Sequence, residues 1–281
     1  MSKPLISIVV PTLNQAPYIE QTLASIFGQG WPRLEVIVVD GGSTDGTQEI
    51  VRRYPVTHFI SEKDKGQGDA VNKGMRLARG DILAWLNSDD YYFPLALERV
   101  TAAIPDVHQS HLVYGSCIMI YEGEENARVI HAKPFPLEEL DVSCVPYQPS
   151  TFWTRPVWEK TGELNLDYYF ILDWDYWARA REHAKFTAIP DLLSAYLFHG
   201  GHKTSSGDSR RVNEVLQHVE HYATPAWKAA YRDVAARLPS MSATWKAHGR
   251  HGRYRLHKLR HLDLYLRHGD KVDPAFFQLY V

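Results

Sequence analysis

Residues 80–90 read GDILAWLNSDD, in which polar residues bound an apolar run at 82–86 on both sides. A short, unbroken apolar run is typical of a strand that is buried on both faces of a sheet. Asp89 and Asp90 close the stretch, and adjacent carboxylates at the end of a strand favour a bound Mg²⁺ or Mn²⁺. The alternative is that these polar residues form a turn and cap a helix that begins near Pro94.

The residues before this run alternate between strand-like and helix-like hydrophobic patterns. We predict strands at 5–10, 35–39 and 57–61, and helices at 18–27, 44–53 and 69–78. Ser43 or Thr44 is expected to cap the second helix. Strands and helices that alternate in this way form βαβ units, so the predicted fold class is α/β, with a mainly parallel central sheet flanked by helices. In such sheets, functional loops gather where the strands end.

The pattern changes after a helix predicted at 94–104. Two strands, at 112–121 and 128–133, follow without a helix between them, which predicts a hairpin or a mixed part of the sheet. Further helices are predicted near 156–161 and 173–183, with a strand in the segment 188–204 and a helical region from about 206 onward.

Composition limits the classes of protein that this chain can represent. Its 281 residues, of which 44% are hydrophobic, can bury a sizeable core, and the net charge of −2 argues against a nucleic-acid partner. Cys117 and Cys144 match no zinc or redox spacing, so we expect a reducing compartment. No window reaches the roughly 18 apolar residues of a membrane span, and the expected location is cytoplasmic.

Acidic residues follow three consecutive strands, at Asp40, Asp64 and Asp89 with its neighbour Asp90. The ends of parallel strands share one edge of a sheet, so these acids are expected to converge there. Carboxylates would repel a bare diphosphate, and the pattern therefore predicts a nucleotide together with a bridging cation. The alternative is that each acid only caps a helix or a turn. No G-x-G-x-x-G follows a strand, and no G-x-x-x-x-G-K-[ST] occurs.

Seven segments together carry a family resemblance, and their order and spacing make the combination specific. They are PTLNQ at 11–15, VVDGGSTDGT at 38–47, EKDKGQGDAVNKG at 62–74, GDILAWLNSDD at 80–90, QPSTFW at 148–153, DWDYWAR at 173–179 and FHGGHKT at 198–204. Over about residues 4–205 the chain resembles the inverting family-2 glycosyltransferases of the GT-A fold.

The resemblance implies a donor site and a cofactor, Mn²⁺ or Mg²⁺. The metal ligand would be Asp89, with His199 as a further ligand, His202 as its competitor and Asp90 as an additional candidate. The nucleotide-sugar-binding residues would be Pro11, Thr12, Asn14, Asp40, Asp64, Asn87, Ser88 and Lys203. Asn87 stands where the family's Asp-X-Asp motif has its first acid, so the metal geometry is open at this position.

The resemblance also implies an acceptor side. Inversion needs a carboxylate that takes the proton of the acceptor hydroxyl, and the motif assigns this role to Asp173, with Asp175 as the alternative. The acceptor-binding residues would be Gln148, Ser150, Trp153 and Trp174. For the two tryptophans, packing in the core is the alternative.

The predicted function is therefore a metal-dependent inverting glycosyltransferase. It would move a sugar from a nucleoside diphosphate sugar, with UDP-sugar favoured, to a hydroxyl of a glycan or lipid-linked acceptor in polysaccharide or glycoconjugate biosynthesis. The alternatives are a sugar nucleotidyltransferase and a non-catalytic nucleotide- or glycan-binding module. The first would need a basic, glycine-rich loop after strand one, which Pro11 to Gln15 does not provide.

The expected domains are a GT-A catalytic domain at 1–205, divided into a nucleotide-sugar-binding half at 1–108 and an acceptor-binding half at 109–205, and a helical extension at 206–281. Residues 246–268 hold seven Lys or Arg and five His, interleaved with leucines. This segment is either a solvated helix face or a peripheral contact with the inner face of the membrane. The sequence leaves the oligomeric state open.

Overall fold

A computed structural model describes residues 3–123, 125, 127–201, 203, 210–232 and 235–236. The chain forms two compact units. The first unit consists of Met1–Phe135, Pro146–Asp167 and Tyr176–Gly200, and the second consists of Pro136–Val145, Tyr168–Asp175 and Gly201–Val281. Residues 136–145, 168–175 and 201–205 of the predicted catalytic domain thus belong to the second unit, and the division expected at residue 205 stays a prediction.

The first unit contains a nine-stranded mixed sheet in the order β3-β2-β1-β4-β8-β6-β9-β5, with β7 paired to β6. Neighbours among β3, β2, β1 and β4 run parallel, as predicted from the βαβ pattern. Strands β6 and β7 form the predicted antiparallel hairpin. The strands are β1 Ile6–Thr12, β2 Leu34–Asp40, β3 His58–Ser61, β4 Ile82–Trp85, β5 Tyr91–Tyr92, β6 His111–Tyr121, β7 Ala127–Ile130, β8 Thr151–Thr154 and β9 Lys185–Phe198.

The helices lie close to the ranges predicted from the sequence. Those with bounds inside the described part of the chain are α1 Ile19–Phe27, α2 Thr47–Val51, α3 Gln67–Leu77, α4 Ala96–Ala103, α5 Arg155–Thr161, α6 Leu172–Ala180 and α7 Arg210–Tyr222, and residues 225–232 are helical as well. The predicted cap of α2 is wrong, because the residue before this helix is Gly46, which has no side chain. Ser43 instead bonds to Asp40, and Asp45 accepts a hydrogen bond from the backbone N–H of Thr47.

The run that follows Gly80-Asp81 forms β4 at the centre of the sheet. All four residues of β4 are buried, and so are all seven residues of β1, its parallel neighbour. This burial on both faces explains why residues 8–10 of β1 and 82–85 of β4 are apolar without alternation. Because the carboxyl ends of β1 to β4 meet at one edge, the loops that follow them lie side by side.

Some expectations fall on residues outside the described part of the chain. They concern His202 and the basic segment at 246–268. Within the described residues, no helix has the length and apolar character needed to cross a membrane.

Candidate functional site

The carboxyl ends of β1, β2 and β3 form one edge of the first unit. In the parallel register, Thr12 pairs with Asp40 and Asp40 pairs with Ser61. The backbone N–H of Gly41 donates to the Thr12 carbonyl over 2.9 Å, which ties the first two loops together. The ends of these three strands therefore share one edge, as predicted, and Asp40 lies at that edge.

Asp40 is fully buried and holds its own loop in shape. Its carboxylate accepts from the backbone N–H and the hydroxyl of Ser43, and from the Ser61 hydroxyl over 2.6 Å. Several donors of this kind offset the cost of burying a charge. A contact between Asp40 and the nucleotide base stays a prediction.

Asp64 lies against Gly41 on the neighbouring loop. Its Oδ1 atom accepts from the Gly66 N–H over 2.8 Å, and Gly66 has a φ of +109°, which suits glycine. A Cβ atom at position 41 would lie 2.9 Å from Asp64 Oδ2, closer than ordinary contact allows. Because Gly41 has no side chain, the Asp64 carboxylate can lie against it, in the predicted nucleoside site.

The loop after β1 is joined to the loop after β2 through Asn14. Its N–H donates to the Ser43 hydroxyl over 2.7 Å, and its side-chain carbonyl accepts from the Thr44 N–H over 3.0 Å. Asn14 has a φ of +51°, a left-handed conformation that asparagine tolerates better than most residues. Pro11 and Thr12 are buried beside it, and the Thr12 hydroxyl has no hydrogen-bond partner within the described chain.

Asp89 and His199 meet where the chain leaves β4 and β9. The distance between Asp89 Oδ2 and His199 Nε2 is 3.0 Å, and the two side chains are 12% and 3% exposed. The ring of Tyr18 lies on the imidazole, with 4.2 Å between the centroids. Sequence reasoning missed Tyr18, and its only signal was an aromatic residue between the first loop and α1.

These two side chains fit a divalent metal ion. Two neighbouring ligands at about 2.1 Å from an octahedral ion lie roughly 3 Å apart, close to the 3.0 Å between Asp89 Oδ2 and His199 Nε2. A carboxylate oxygen with an imidazole nitrogen suits Mn²⁺ better than Ca²⁺. Among the residues that the structure describes, no group of three His, Cys, Asp or Glu side chains could hold a metal, so the remaining ligands would have to come from substrate or water.

Asp90 does not join this pair and instead anchors the backbone of β9. It is fully buried, its Oδ1 atom accepts from the Leu197 N–H over 3.0 Å, and its Oδ2 atom accepts from the Asn87 amide over 3.2 Å. Burial, together with the charge of Asp89, raises the pKa of Asp90 well above its usual range. Asp90 thus fixes the strand end that carries His199.

Asn87, which departs from the family motif, is a hydrogen-bonding centre in this structure. Its amide group donates to Asp90 and also to Gln148 Oε1 over 3.2 Å, and its carbonyl accepts from Gln67 over 2.6 Å. Asparagine can both donate and accept, whereas an ionised aspartate at this position could only accept. This network gives Asn87 a physical role beside its predicted contact with the donor. Ser88, next in the chain, is buried.

The acceptor-side residues of the first unit are part of its interior. Gln148 donates to the carbonyl of Trp85 over 2.6 Å, and the hydroxyl of Ser150 donates to the Ser116 carbonyl over 3.0 Å. Trp153 is 0% exposed and packs edge-on against Trp85. No acceptor could reach the ring of Trp153 in this conformation, and packing accounts for its position.

In the second unit, Asp173 lies in the first turn of α6 with its side chain half-buried. Its carboxylate accepts from the Trp174 N–H over 2.9 Å, and the Cys144 thiol lies 3.7 Å from it. Burial raises the pKa of Asp173, although these donors and the charge of Arg211 oppose the shift. A carboxylate with a raised pKa is a stronger proton acceptor. Asp175 is only 4% exposed, so accessibility favours Asp173 as the base.

Two further predicted residues lie in the second unit. Trp174 is 2% exposed, and its ring packs against His218, so it too is an interior residue. The ammonium group of Lys203 lies 3.8 Å from the centroid of the Tyr169 ring. Burial lowers the pKa of Lys203 to about 8, against the opposing charges of Glu214 and Asp173.

Comparison with known families identifies the chain. The model of the family described as Glycosyl transferase family 2 matches residues 7–157. The chain belongs to glycosyl transferase family 2. It is therefore an enzyme of the glycosyltransferase class, and this confirms the prediction over the nucleotidyltransferase alternative.

Two bacterial proteins are among the relatives of this glycosyltransferase. The PGL/p-HBAD biosynthesis glycosyltransferase of Mycobacterium tuberculosis (strain ATCC 25177 / H37Ra) is 34% identical over 203 residues, which cover 70% of this chain and 75% of the relative. TuaG of Bacillus subtilis (strain 168), a candidate teichuronic acid biosynthesis glycosyltransferase, is 33% identical over 259 residues, which cover 86% of this chain and 93% of TuaG.

Solved glycosyltransferase structures confirm the predicted GT-A fold. TarS 1-349 of S. aureus, in complex with UDP-GlcNAc, has a TM-score of 0.60 at 19% identity. The match covers 98% of this chain and 83% of TarS 1-349. The mannosyltransferase PcManGT of Pyrobaculum calidifontis, in complex with GDP-Man and Mn²⁺, has a TM-score of 0.61 at 19% identity. The match covers 99% of this chain and 86% of PcManGT. At this level of identity the likeness supports the fold alone.

Proposed function

We propose that this glycosyltransferase is metal-dependent and inverting, and that it moves a sugar from a nucleoside diphosphate sugar to a hydroxyl of a glycan or lipid-linked acceptor. The observation that carries the proposal is the pairing of Asp89 with His199 at 3.0 Å beside the edge of the parallel strands. The names of the relatives support a role in polysaccharide or glycoconjugate biosynthesis. Contact of residues 246–268 with a membrane stays part of the proposal.

The donor would bind along the edge formed by β1, β2 and β3. Thr12, Asn14 and Asp40 shape the loops around the nucleoside, and Asp64, held beside Gly41, is the acid best placed to accept hydrogen bonds from it. A UDP-sugar is favoured, because TarS was solved with UDP and with UDP-GlcNAc. PcManGT binds GDP-Man, so a guanine nucleotide is the alternative that the experiment must test.

Asp89 and His199 would hold Mn²⁺ or Mg²⁺. When bound, the cation would act as a Lewis acid that stabilises the charge of the departing diphosphate. Lys203 would add a positive charge for the phosphate oxygens, and this contribution would fade as the pH rises through its pKa of about 8.

Asp173 would act as the general base. As the acceptor oxygen forms a bond to the anomeric carbon, the Asp173 carboxylate takes the hydroxyl proton. The bond between that carbon and the diphosphate breaks on the opposite face, so the configuration inverts. A positioned base of this kind contributes roughly 10²–10⁴ in rate.

A thermal-shift panel tests donor and metal together, because a ligand that binds the native state raises the melting temperature. The panel comprises UDP, GDP, UDP-glucose, UDP-GlcNAc and GDP-mannose, each with Mn²⁺ or with EDTA. We expect the largest shift with a uridine nucleotide and Mn²⁺. Asp89→Ala and His199→Ala should each lose the Mn²⁺-dependent part, whereas Asp106→Ala, which changes an exposed acid after α4, should keep it. Equal shifts with Mn²⁺ and EDTA would contradict metal dependence.

Transfer itself is measured as release of the nucleoside diphosphate from the donor that binds, with methyl glycosides or water as acceptor. Asp173→Asn should reduce this rate by about 10²-fold or more while donor affinity stays within about twofold. Proton NMR of the product reports the anomeric configuration. Full activity of Asp173→Asn would remove this residue as the base, and a product that retains the donor configuration would refute inversion.

A further inference from the structure

Helix α7 carries two buried polar residues on its apolar side. Val212, Val215 and Val219 are buried at helical spacing, as in any amphipathic helix that packs on a core. Glu214 and His218 are buried with them, at 6% and 0% exposure. A buried carboxylate or imidazole is costly unless it is hydrogen-bonded, so the partners of these two side chains indicate what α7 does.

Glu214 binds the segment that leads directly into α6. Its Oε1 atom accepts from the Tyr169 N–H over 2.9 Å, and its Oε2 atom accepts from the Phe170 and Ile171 N–H groups over 2.7 and 3.3 Å. Helix α6 begins at the next residue, Leu172. Amide groups at the start of a helix lack acceptors within the helix, and a negative charge is favoured there. One carboxylate from α7 therefore fixes three consecutive peptide groups before α6.

His218, one turn further along α7, holds the other side of the same region. Its Nε2 atom lies 2.7 Å from the Leu140 carbonyl oxygen, which also accepts from Trp174 Nε1 over 2.6 Å. A carbonyl only accepts hydrogen bonds, so Nε2 of His218 carries a proton. The rings of His218 and Trp174 pack with 4.3 Å between their centroids. Trp174 is the residue after Asp173, and α7 thus restrains the chain on both sides of Asp173.

We propose that Glu214 and His218 are positioning residues that hold Asp173 in the geometry needed for proton transfer. This inference rests on the proposed role of Asp173 as the base. Misplacement of a reacting group by about 1 Å costs on the order of 10² in rate. The hydrogen-bond partners of Asp173, Trp174 and Cys144, belong to the same unit as α7. Helix α7 lies beyond residues 7–157, which the family model matches. It would therefore contribute to catalysis from outside that region.

The primary test is Glu214→Gln in the full-length chain. A glutamine keeps the size but places an NH₂ group where one carboxylate oxygen accepted, so at least one of the three N–H groups loses its acceptor. We expect kcat for release of the nucleoside diphosphate to fall about tenfold or more, with the Kd for the same nucleoside diphosphate within about twofold of wild type. Hydrogen exchange of the amides at 169–171 should become faster.

Two control variants separate positioning from stability and from charge. Val215→Ala, on the same helix, removes buried apolar contacts and lowers the melting temperature without removing a hydrogen bond to residues 169–171. Glu220→Gln makes the same chemical change at a carboxylate that pairs with Arg232. Both should keep kcat within about twofold of wild type at a temperature well below their melting points. His218→Phe, which keeps an aromatic ring but loses Nε2–H, should reproduce part of the loss and serves if Glu214→Gln does not fold.

The outcomes separate this inference from the proposed function. If Asp173→Asn is inactive but Glu214→Gln and His218→Phe retain wild-type kcat, the positioning role is wrong and the base assignment stands. If Val215→Ala loses as much kcat as Glu214→Gln, α7 acts only through stability, and the inference is overturned. If Asp173→Asn is fully active, the proposed base is wrong, whatever the exchange data show.

Discussion

Replacing Gly41 with alanine should weaken donor binding while leaving the fold intact. Alanine can adopt the backbone conformation of Gly41, but its Cβ atom would lie 2.9 Å from Asp64 Oδ2. Ordinary contact begins at 3.4 Å, so the Asp64 carboxylate must retreat by about 0.5 Å. Because Asp64 is a flexible side chain at an edge of the sheet, the displacement should alter the nucleoside site and little else.

The expected magnitude follows from the hydrogen bonds of Asp64. Within the protein its carboxylate accepts from Gly66 N–H over 2.8 Å, and weakening this bond would lower the free energy of unfolding by about 1 kcal/mol. Towards the donor, a displaced carboxylate loses a hydrogen bond to a charged acceptor, which contributes about 1.5–3 kcal/mol. The Kd for the nucleotide should therefore rise about tenfold to a hundredfold.

Calorimetric titration of UDP into four proteins measures this effect: wild type, Gly41→Ala, Asp64→Ala and the double variant. If the new methyl group acts through Asp64, it should change the Kd by less than about twofold once Asp64 is already alanine. Two results would refute the reasoning. An unchanged Kd for Gly41→Ala would show that the position of Asp64 does not matter. A full effect in the Asp64→Ala background would show that the methyl group blocks the ligand itself.

Other predictions concern the base, the sheet and the metal site. Because burial raises the pKa of Asp173, the transfer rate should fall on acidification at a pH above the usual Asp pKa of about 3.9, and a pH–rate profile that is flat down to pH ~4 would contradict this. The contribution of Asp173 to folding stability should decline as the pH rises from that value through the raised pKa. In Gly80→Ala, the new Cβ atom would lie 2.5 Å from the backbone nitrogen of Ser7. This clash should lower the free energy of unfolding by about 3 kcal/mol without changing the affinity for UDP, and an unchanged midpoint of urea unfolding would disprove it. Tyr18→Ala removes the ring that packs on His199, so it should raise the Mn²⁺ concentration for half-maximal thermal shift about threefold to tenfold. Tyr18→Phe keeps the ring and should match wild type; equal behaviour of the two variants would count against this contact.

The sequence predicted the first half of the sheet well, because local pattern and tertiary environment agree there. Strands β1 and β4 are buried on both faces, so their apolar runs stand out. The two-residue strand β5 was missed, since Tyr91–Tyr92 pairs with β9 more than a hundred residues away. The cap of α2 was wrong, because Ser43 bonds to Asp40 instead of the helix.

Within the site, residue types alone predicted a nucleotide and a cation, but they could not decide which of two adjacent acids would bind the metal. Asp89 and Asp90 are equivalent as sequence, yet one meets His199 and the other anchors the Leu197 N–H. Adjacent side chains on an extended backbone point in different directions, and what each meets depends on a strand far away in the chain. The tryptophans illustrate the same limit, because Trp153 and Trp174 are buried at 0% and 2% exposure.

The stretch at 80–90 by itself predicted a buried strand that ends in oxygen-bearing side chains, because an unbroken apolar run and a sharp change to polar residues are local properties of the sequence. Only the tertiary structure decided that Asn87 donates to Asp90 and to Gln148, and that His199 faces Asp89. These contacts join residues separated by up to 110 positions. Their geometry depends on strand order and register, which no local pattern specifies.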